Sequence, residues 1–161
     1  MTPLKILGID PGYDRCGIAV MEKNAQNGTL LHSECIETDR TLPLFDRLLT
    51  VGQRIEELID MHQPHMVGLE RLYFNNNQKT AMGVAEVRGM VVYLARRKGC
   101  RVAEYTPQEV KIAVTGYGKS TKAQVALMLA RLIPHIPKGV RDDEEDAIAI
   151  ALTTLVSVRT Q

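Results

Sequence analysis

Four carboxylates stand where apolar segments begin or end: Asp10 after LKILGI, Glu70 after HMVGL, and Asp143 and Asp146 just before AIAIAL. A carboxylate at the mouth of a buried segment costs desolvation energy unless something positive meets it. Gathered in one place, such groups offer the clustered, charged oxygens that magnesium and manganese prefer. Two such ions about 3.5–4 Å apart can activate a water and stabilise the departing oxygen in an in-line displacement at phosphorus. The chemistry to which this set points is phosphate-ester hydrolysis. Each residue alone has a plainer reading. Asp10 suits the first position of an Asp-Pro-Gly turn, Glu70 a solvated strand end, and Asp143 or Asp146 a helix cap. Capping does not account for Asp10 and Glu70. His32, His62, His65 and His135 have no ligand-like spacing, and Cys16, Cys35 and Cys100 form no CxxC, so no other metal centre competes.

Positioning these residues takes an alternation of strands and helices. The run at 4–10 ends in Asp10-Pro11-Gly12, a tight-turn signal. RCGIAVME (15–22) and TLLHSECIET (29–38) read as two further strands joined at Asn27-Gly28, so the chain should open with an antiparallel meander of three strands. Leu44, Leu48, Val51, Ile55 and Leu58 recur at helical spacing, which predicts a helix over 43–62, with Pro64 just beyond it. HMVGLE (65–70) reads as a buried strand, 71–77 as a loop, and 78–99 as a second long helix stopped by Gly99. A strand at 100–105, a short helix from Pro107 to about Val114, a glycine-containing loop at 115–121 and a helix at 122–133 follow. EDAIAIALTTLVSV closes the chain as a buried helix. The expected class is α/β, a mixed sheet flanked by helices, with no linker inside 1–161. If the first strand and the strand ending at Glu70 are neighbours, Asp10 and Glu70 emerge at one edge, where ligands of such sheets collect. Asp143 and Asp146, three apart on a helix, share a face.

The totals set the setting. A chain of 161 residues, 45% hydrophobic and 24% charged, is long enough for one core. Its formal net charge of +1 does not announce a nucleic-acid binder, so basic residues that meet DNA must be gathered on one face. Odd, scattered cysteines fit a reducing compartment, the N-terminus lacks a signal-peptide pattern, and no run of 18 apolar residues occurs. These point to a soluble cytoplasmic protein.

Five segments, LGIDPG (7–12), GLERLYFNNN (68–77), EVRGM (86–90), QEVKIAVTGYGKSTKAQV (108–125) and DEEDAIAIAL (143–152), stand in an order and spacing that resembles the bacterial RuvC-type Holliday-junction resolvases. The resemblance runs from about Leu4 to Leu155. It implies a ribonuclease H-like fold, a homodimer, and symmetric, magnesium-dependent cutting of four-way DNA junctions (manganese substituting), with two ions per site. It also implies work alongside the RuvA–RuvB branch-migration complex. By position the family's four acidic ligands fall on Asp10, Glu70, Asp143 and Asp146. Asp142, Glu144 and Glu145 lie beside them, but only Asp143 and Asp146 match the Asp-x-x-Asp spacing before Ala-Ile-Ala. The family's aromatic probe of the junction centre falls on Tyr73, with Phe74 adjoining; base stacking is worth about 1–3 kcal/mol and tolerates any sequence. The family's lysines near the cut strand fall on Lys111 and Lys122, and Lys119 adds a third cation between them. The second long helix, with Met82, Ala85, Gly89 and Met90, corresponds to the dimer element, although the same pattern suits packing inside the monomer. The near-neutral charge implies salt-sensitive junction binding, or a compact patch that includes the three lysines.

Three rivals share part of the pattern. An actin-like ATPase resembles Gly-Ile-Asp-Pro-Gly but needs two domains around its nucleotide. A general or RNA-processing nuclease of the ribonuclease H-like superfamily shares the acids, but not the Tyr73 loop or the paired lysines. A junction-binding protein that does not cut has no need of four carboxylates.

Overall fold

The computed structural model describes residues 3–25, 28–71 and 78–158. Five strands, β1 (Lys5–Asp10), β2 (Arg15–Glu22), β3 (Thr29–Glu37), β4 (Met66–Glu70) and β5 (Arg101–Tyr105), form one sheet in the order β3-β2-β1-β4-β5. The first three run antiparallel as a meander, and β4 and β5 join parallel to β1 and to each other. Among the described residues five helices pack around it: α1 (Leu44–His62), α2 (Gln78–Arg97), α3 (Pro107–Thr115), α4 (Lys122–Leu132) and α5 (Asp142–Ser157). No helix among the described residues is long and apolar enough to cross a membrane.

The elements follow the expected pattern, with shifts at their ends that have local causes. α5 begins at Asp142, three residues before the expected start at Glu145. Asp142, Asp143, Glu144 and Glu145 fill its first turn, where negative charge meets the positive end of the helix. α2 stops at Arg97 instead of reaching 99, and Gly99 supplies the left-handed turn (φ +81°) that leads into β5. α3 and α4 each open on a capping box, Thr106 with Glu109 and Thr121 with Gln124. Part of the Asn27-Gly28 hairpin signal, and all of Tyr73 and Phe74, lie outside the described residues.

Alternation along the strands divides the core in two. Leu7, Ile9, Ile18, Val67 and Leu69 face α1 and α2, while Ile6, Ala19 and Met21 face α5. α5 lies directly on the sheet because three strands present glycine beneath it. A Cβ on Gly8 would sit 2.4 Å from the Ala147 carbonyl oxygen, one on Gly17 1.8 Å from that of Asp143, and one on Gly68 2.0 Å from Thr154 Oγ1. No other residue leaves room for the backbones to approach so closely.

Candidate active site

Asp10 is the last residue of β1 and Glu70 the last of β4. The parallel register pairs Gly8 with Gly68 and Ile9 with Leu69, so the two carboxylates leave the same end of neighbouring strands. By the same alternation that turns Gly8 and Gly68 toward α5, both side chains emerge on the α5 face. α5 then brings its own acids to them. The contact of Gly17 with the Asp143 carbonyl sets the first turn of α5 against β2, whose Gly17 is the register partner of Asp10. Three distant segments thus deliver Asp10, Glu70, Asp143 and Asp146 to one corner of the sheet.

Electrostatics record the crowding. Burial, followed by the charges of Asp146, Glu70 and Asp143, pushes the Asp10 carboxyl up to about 7. Burial also raises Glu70 and Asp146, with Asp146 adding to the rise of Glu70. Lys122, its Nζ 3.4 Å from Asp146 Oδ2, opposes the shift in all three. On the far side the Arg15 Nε lies 3.0 Å from Asp143 Oδ2. That oxygen is buried, and despite the proximity no well-aligned hydrogen bond reaches it. Two protein cations therefore stand at Asp143 and Asp146. Among the described residues, no three acidic, histidine or cysteine side chains already converge on a single ion position. The donor set still suits hard divalent cations: clustered carboxylate oxygens, one of them buried without a hydrogen bond, and an accumulated charge that drives one acid's proton affinity toward neutrality.

A cleft of about 300 Å³ opens beside the acids, bordered by Glu70, Asp146, Lys111, Lys122 and Glu145 over a floor that includes Val125 and Ile150. Lys111 reaches it from α3, and Lys122 from the first residue of α4, immediately after the Thr121 cap. The turn between these helices is tied by Thr115 Oγ1 and Ser120 Oγ (2.6 Å apart) and by the Ser120 hydroxyl donating to the Tyr117 carbonyl at 2.7 Å. Lys119 is exposed on that turn and does not line the cleft.

Three residues of the site were not singled out from sequence. Glu145 lines the cleft with its proton affinity raised by burial and then by Asp146 and Asp142. Its neighbour Glu144 turns away and accepts a hydrogen bond from Ser33 Oγ at 2.6 Å. The helical step of 100° per residue separates them, and that is a signal a helix beginning at Asp142 would have supplied. Arg15 is the second. The third is Arg47, buried in α1, which pairs with Asp14, donates to the Tyr13 carbonyl at 3.2 Å and lies 5.0 Å from the centre of the Tyr13 ring. It braces the turn that follows Asp10.

Comparison with known proteins agrees with this architecture. Residues 6–154 match the family described as crossover junction endodeoxyribonuclease RuvC. The chain is 44% identical over 150 residues to the protein of that description from Clavibacter sepedonicus, covering 92% of this chain and 74% of the relative. It is 37% identical over 150 residues to the one from Mycobacterium ulcerans, covering 92% and 82%. Among solved structures, T. thermophilus RuvC in complex with a Holliday junction superposes with a TM-score of 0.87 at 32% identity, covering 93% of this chain and 92% of that one. The yeast mitochondrial Holliday junction resolvase, at 15% identity and a TM-score of 0.68 over 93% of this chain and 77% of its own, shares the fold. The sheet order and its helices are those of the expected ribonuclease H-like fold. With its family match spanning nearly the whole chain, this protein belongs to the crossover junction endodeoxyribonuclease RuvC family.

Proposed function

We propose that this single-domain chain resolves four-way DNA junctions by paired, symmetric hydrolysis of phosphodiester bonds, using magnesium held by Asp10, Glu70, Asp143 and Asp146. The observation that carries the reading is the delivery of these four carboxylates, from β1, β4 and α5, to one corner beside a lysine-lined cleft. Bound there, two divalent cations would supply Lewis acidity for the attacking water and for the departing oxygen. The protein's own groups do the rest. Asp10, most crowded by like charge, is the acid that gains most from a cation. Lys111 and Lys122 border the cleft and meet the phosphates of the strand to be cut, with Lys119 extending the contact from the α3–α4 turn. Tyr73 and Phe74 stack on bases at the junction centre. The capping box at Thr121 fixes where Lys122 starts, so its charge is placed before DNA arrives. Two chains associate to provide two sites, and the RuvA–RuvB complex presents the junction in the cytoplasm.

The test is an end-labelled synthetic four-way junction with a homologous core, incubated with protein and magnesium beside linear duplex and the Asp146→Asn protein. Symmetric paired nicks are expected on the junction alone. Asp146→Asn should bind the junction as before while cleavage falls by orders of magnitude. Equal cutting of duplex or RNA would replace this reading with a general nuclease, and tight binding without nicks would make the protein a junction-binding module.

A further inference from the structure

The cation at Asp143 is built into the fold. Arg15 opens β2, and its register partner across the sheet is Glu37, a carboxylate within reach of any side chain at that position. Glu37 is already engaged, with Arg141 Nη2 2.5 Å from its Oε1. Arg15 turns to Asp143, its Nε 3.0 Å from Oδ2, and among the described residues this is its ion pair. Its side chain is 47% exposed while that of Asp143 is 22% exposed, so the arginine is free to leave and the aspartate is not.

We infer that Arg15 is an internal counter-cation for Asp143, displaced when a divalent ion enters, and that it sets how tightly the four carboxylates hold metal. The inference rests on the reading of those carboxylates as ligands. The guanidinium lies against a buried oxygen of Asp143 that no hydrogen bond satisfies, so an ion taking that oxygen must displace it or bind against its charge. Without Arg15 the empty cluster also loses one of the two cations beside its acids, the one at Asp143, and keeps Lys122. Both effects have one sign: removing the positive charge at 15 tightens metal binding. A purely structural Arg15, one that only seats the first turn of α5 on β2, gives the opposite sign, because its loss would loosen Asp143. The Lys122–Asp146 contact is longer at 3.4 Å and made by a side chain 73% exposed, so it leaves the Arg15–Asp143 pair as a separate contact that can be tested on its own.

The experiment uses the full chain without DNA and manganese as probe, following free Mn2+ by its electron paramagnetic resonance signal. Four proteins are compared: unaltered, Arg15→Gln, Arg15→Lys and Asp146→Asn. Arg15→Gln should bind Mn2+ about two- to fivefold more tightly, the size expected of a half-exposed ion pair, and Arg15→Lys, which keeps the charge, should stay near the unaltered protein. Equal or weaker binding by Arg15→Gln overturns the inference. So does an Arg15→Lys protein that matches Arg15→Gln, since charge would then not be the cause. If Asp146→Asn binds Mn2+ as well as the unaltered protein, the ligand assignment fails instead, and with it the foundation of this step.

Discussion

A lysine beside a carboxylate cluster has two masters, and the salt dependence of junction binding separates them. Lys122 raises its own proton affinity chiefly through Asp146, and it stands at the mouth of the cleft where a phosphate would arrive. If it meets one phosphate, Lys122→Ala lowers the slope of log affinity against log salt by about 0.7–0.9. Binding then weakens most at low salt and least at high salt. An unchanged slope in a filter-binding titration would reduce Lys122 to a partner of Asp146. A second residue-scale effect lies far from the site. His62, near the end of α1, stacks on His32 of β3 with ring centres 5.7 Å apart, and neither Nε2 has a hydrogen-bond partner. Burial first, then His32, Lys5 and Arg54, lower the proton affinity of His62 below its ordinary 6.5. Because the folded value lies below the unfolded one, the unfolded chain takes up more protons in acid, and stability falls as pH drops below about 6.5. Urea midpoints at pH 7.5 and 5.5 should therefore diverge more for the unaltered protein than for His62→Gln. Equal divergence would remove His62 as the cause.

At the scale of elements, the site depends on how closely α5 lies on the sheet. Gly8→Ala would drive a methyl to 2.4 Å from the Ala147 carbonyl and 2.5 Å from the Ala151 amide, both backbone atoms of α5 that no rotamer can move. Overpacking of this kind costs about 1–3 kcal/mol, and here it also lifts Asp143 and Asp146 away from Asp10. Chemical denaturation should show the loss of stability. Manganese binding should weaken alongside it, and a protein destabilised with unchanged metal affinity would mean that α5 does not set the ligand geometry. This contact also marks the limit of what the chain reveals as text. Strand and helix periodicity is local, so β2 could be read to its end residues, and Asp10 and Glu70 stood out because each terminates an apolar run. Arg15 carried no such mark: one charged residue after a turn looks solvated until α5 is laid beside it. Glu145 and Glu144 are indistinguishable as neighbours in a row of acids, and only the helical phase sends one to the cleft and the other to Ser33. Arg47 sat in an amphipathic helix where charge normally faces water, and its burial follows from the turn at Tyr13 and Asp14, which lies 33 positions earlier in the chain. What was hidden was long-range.

At the scale of the molecule, the symmetric cutting proposed above imposes an arithmetic that one chain does not meet. Each chain carries one set of four carboxylates, and two nicks placed symmetrically require two sets related by a twofold axis. The described surface offers a place for that axis. On α2, Met82 is 65% exposed and Tyr93 62% exposed, and Gly89 lies between them in helical phase with nothing within 4 Å of where its Cβ would be. Met90 packs inward instead, its sulfur over Gly52 of α1, so the small and apolar positions of this helix divide between the monomer core and a free face. On α1, Phe45 and Leu49 are also exposed, by 79% and 58%. A contiguous exposed apolar patch marks an association surface, and a charge placed at Met82 tests whether these side chains make one. Met82→Glu places a charge on this face without touching the core or the acids. Sedimentation is expected to report a dimer for the unaltered protein and a monomer for Met82→Glu, and junction cutting by the variant should collapse. Manganese binding per chain should be unchanged, because the four carboxylates come from one chain. A Met82→Glu protein that still sediments as a dimer would move the interface off this face of α2; a monomer that still makes paired symmetric nicks would break the link between self-association and symmetry.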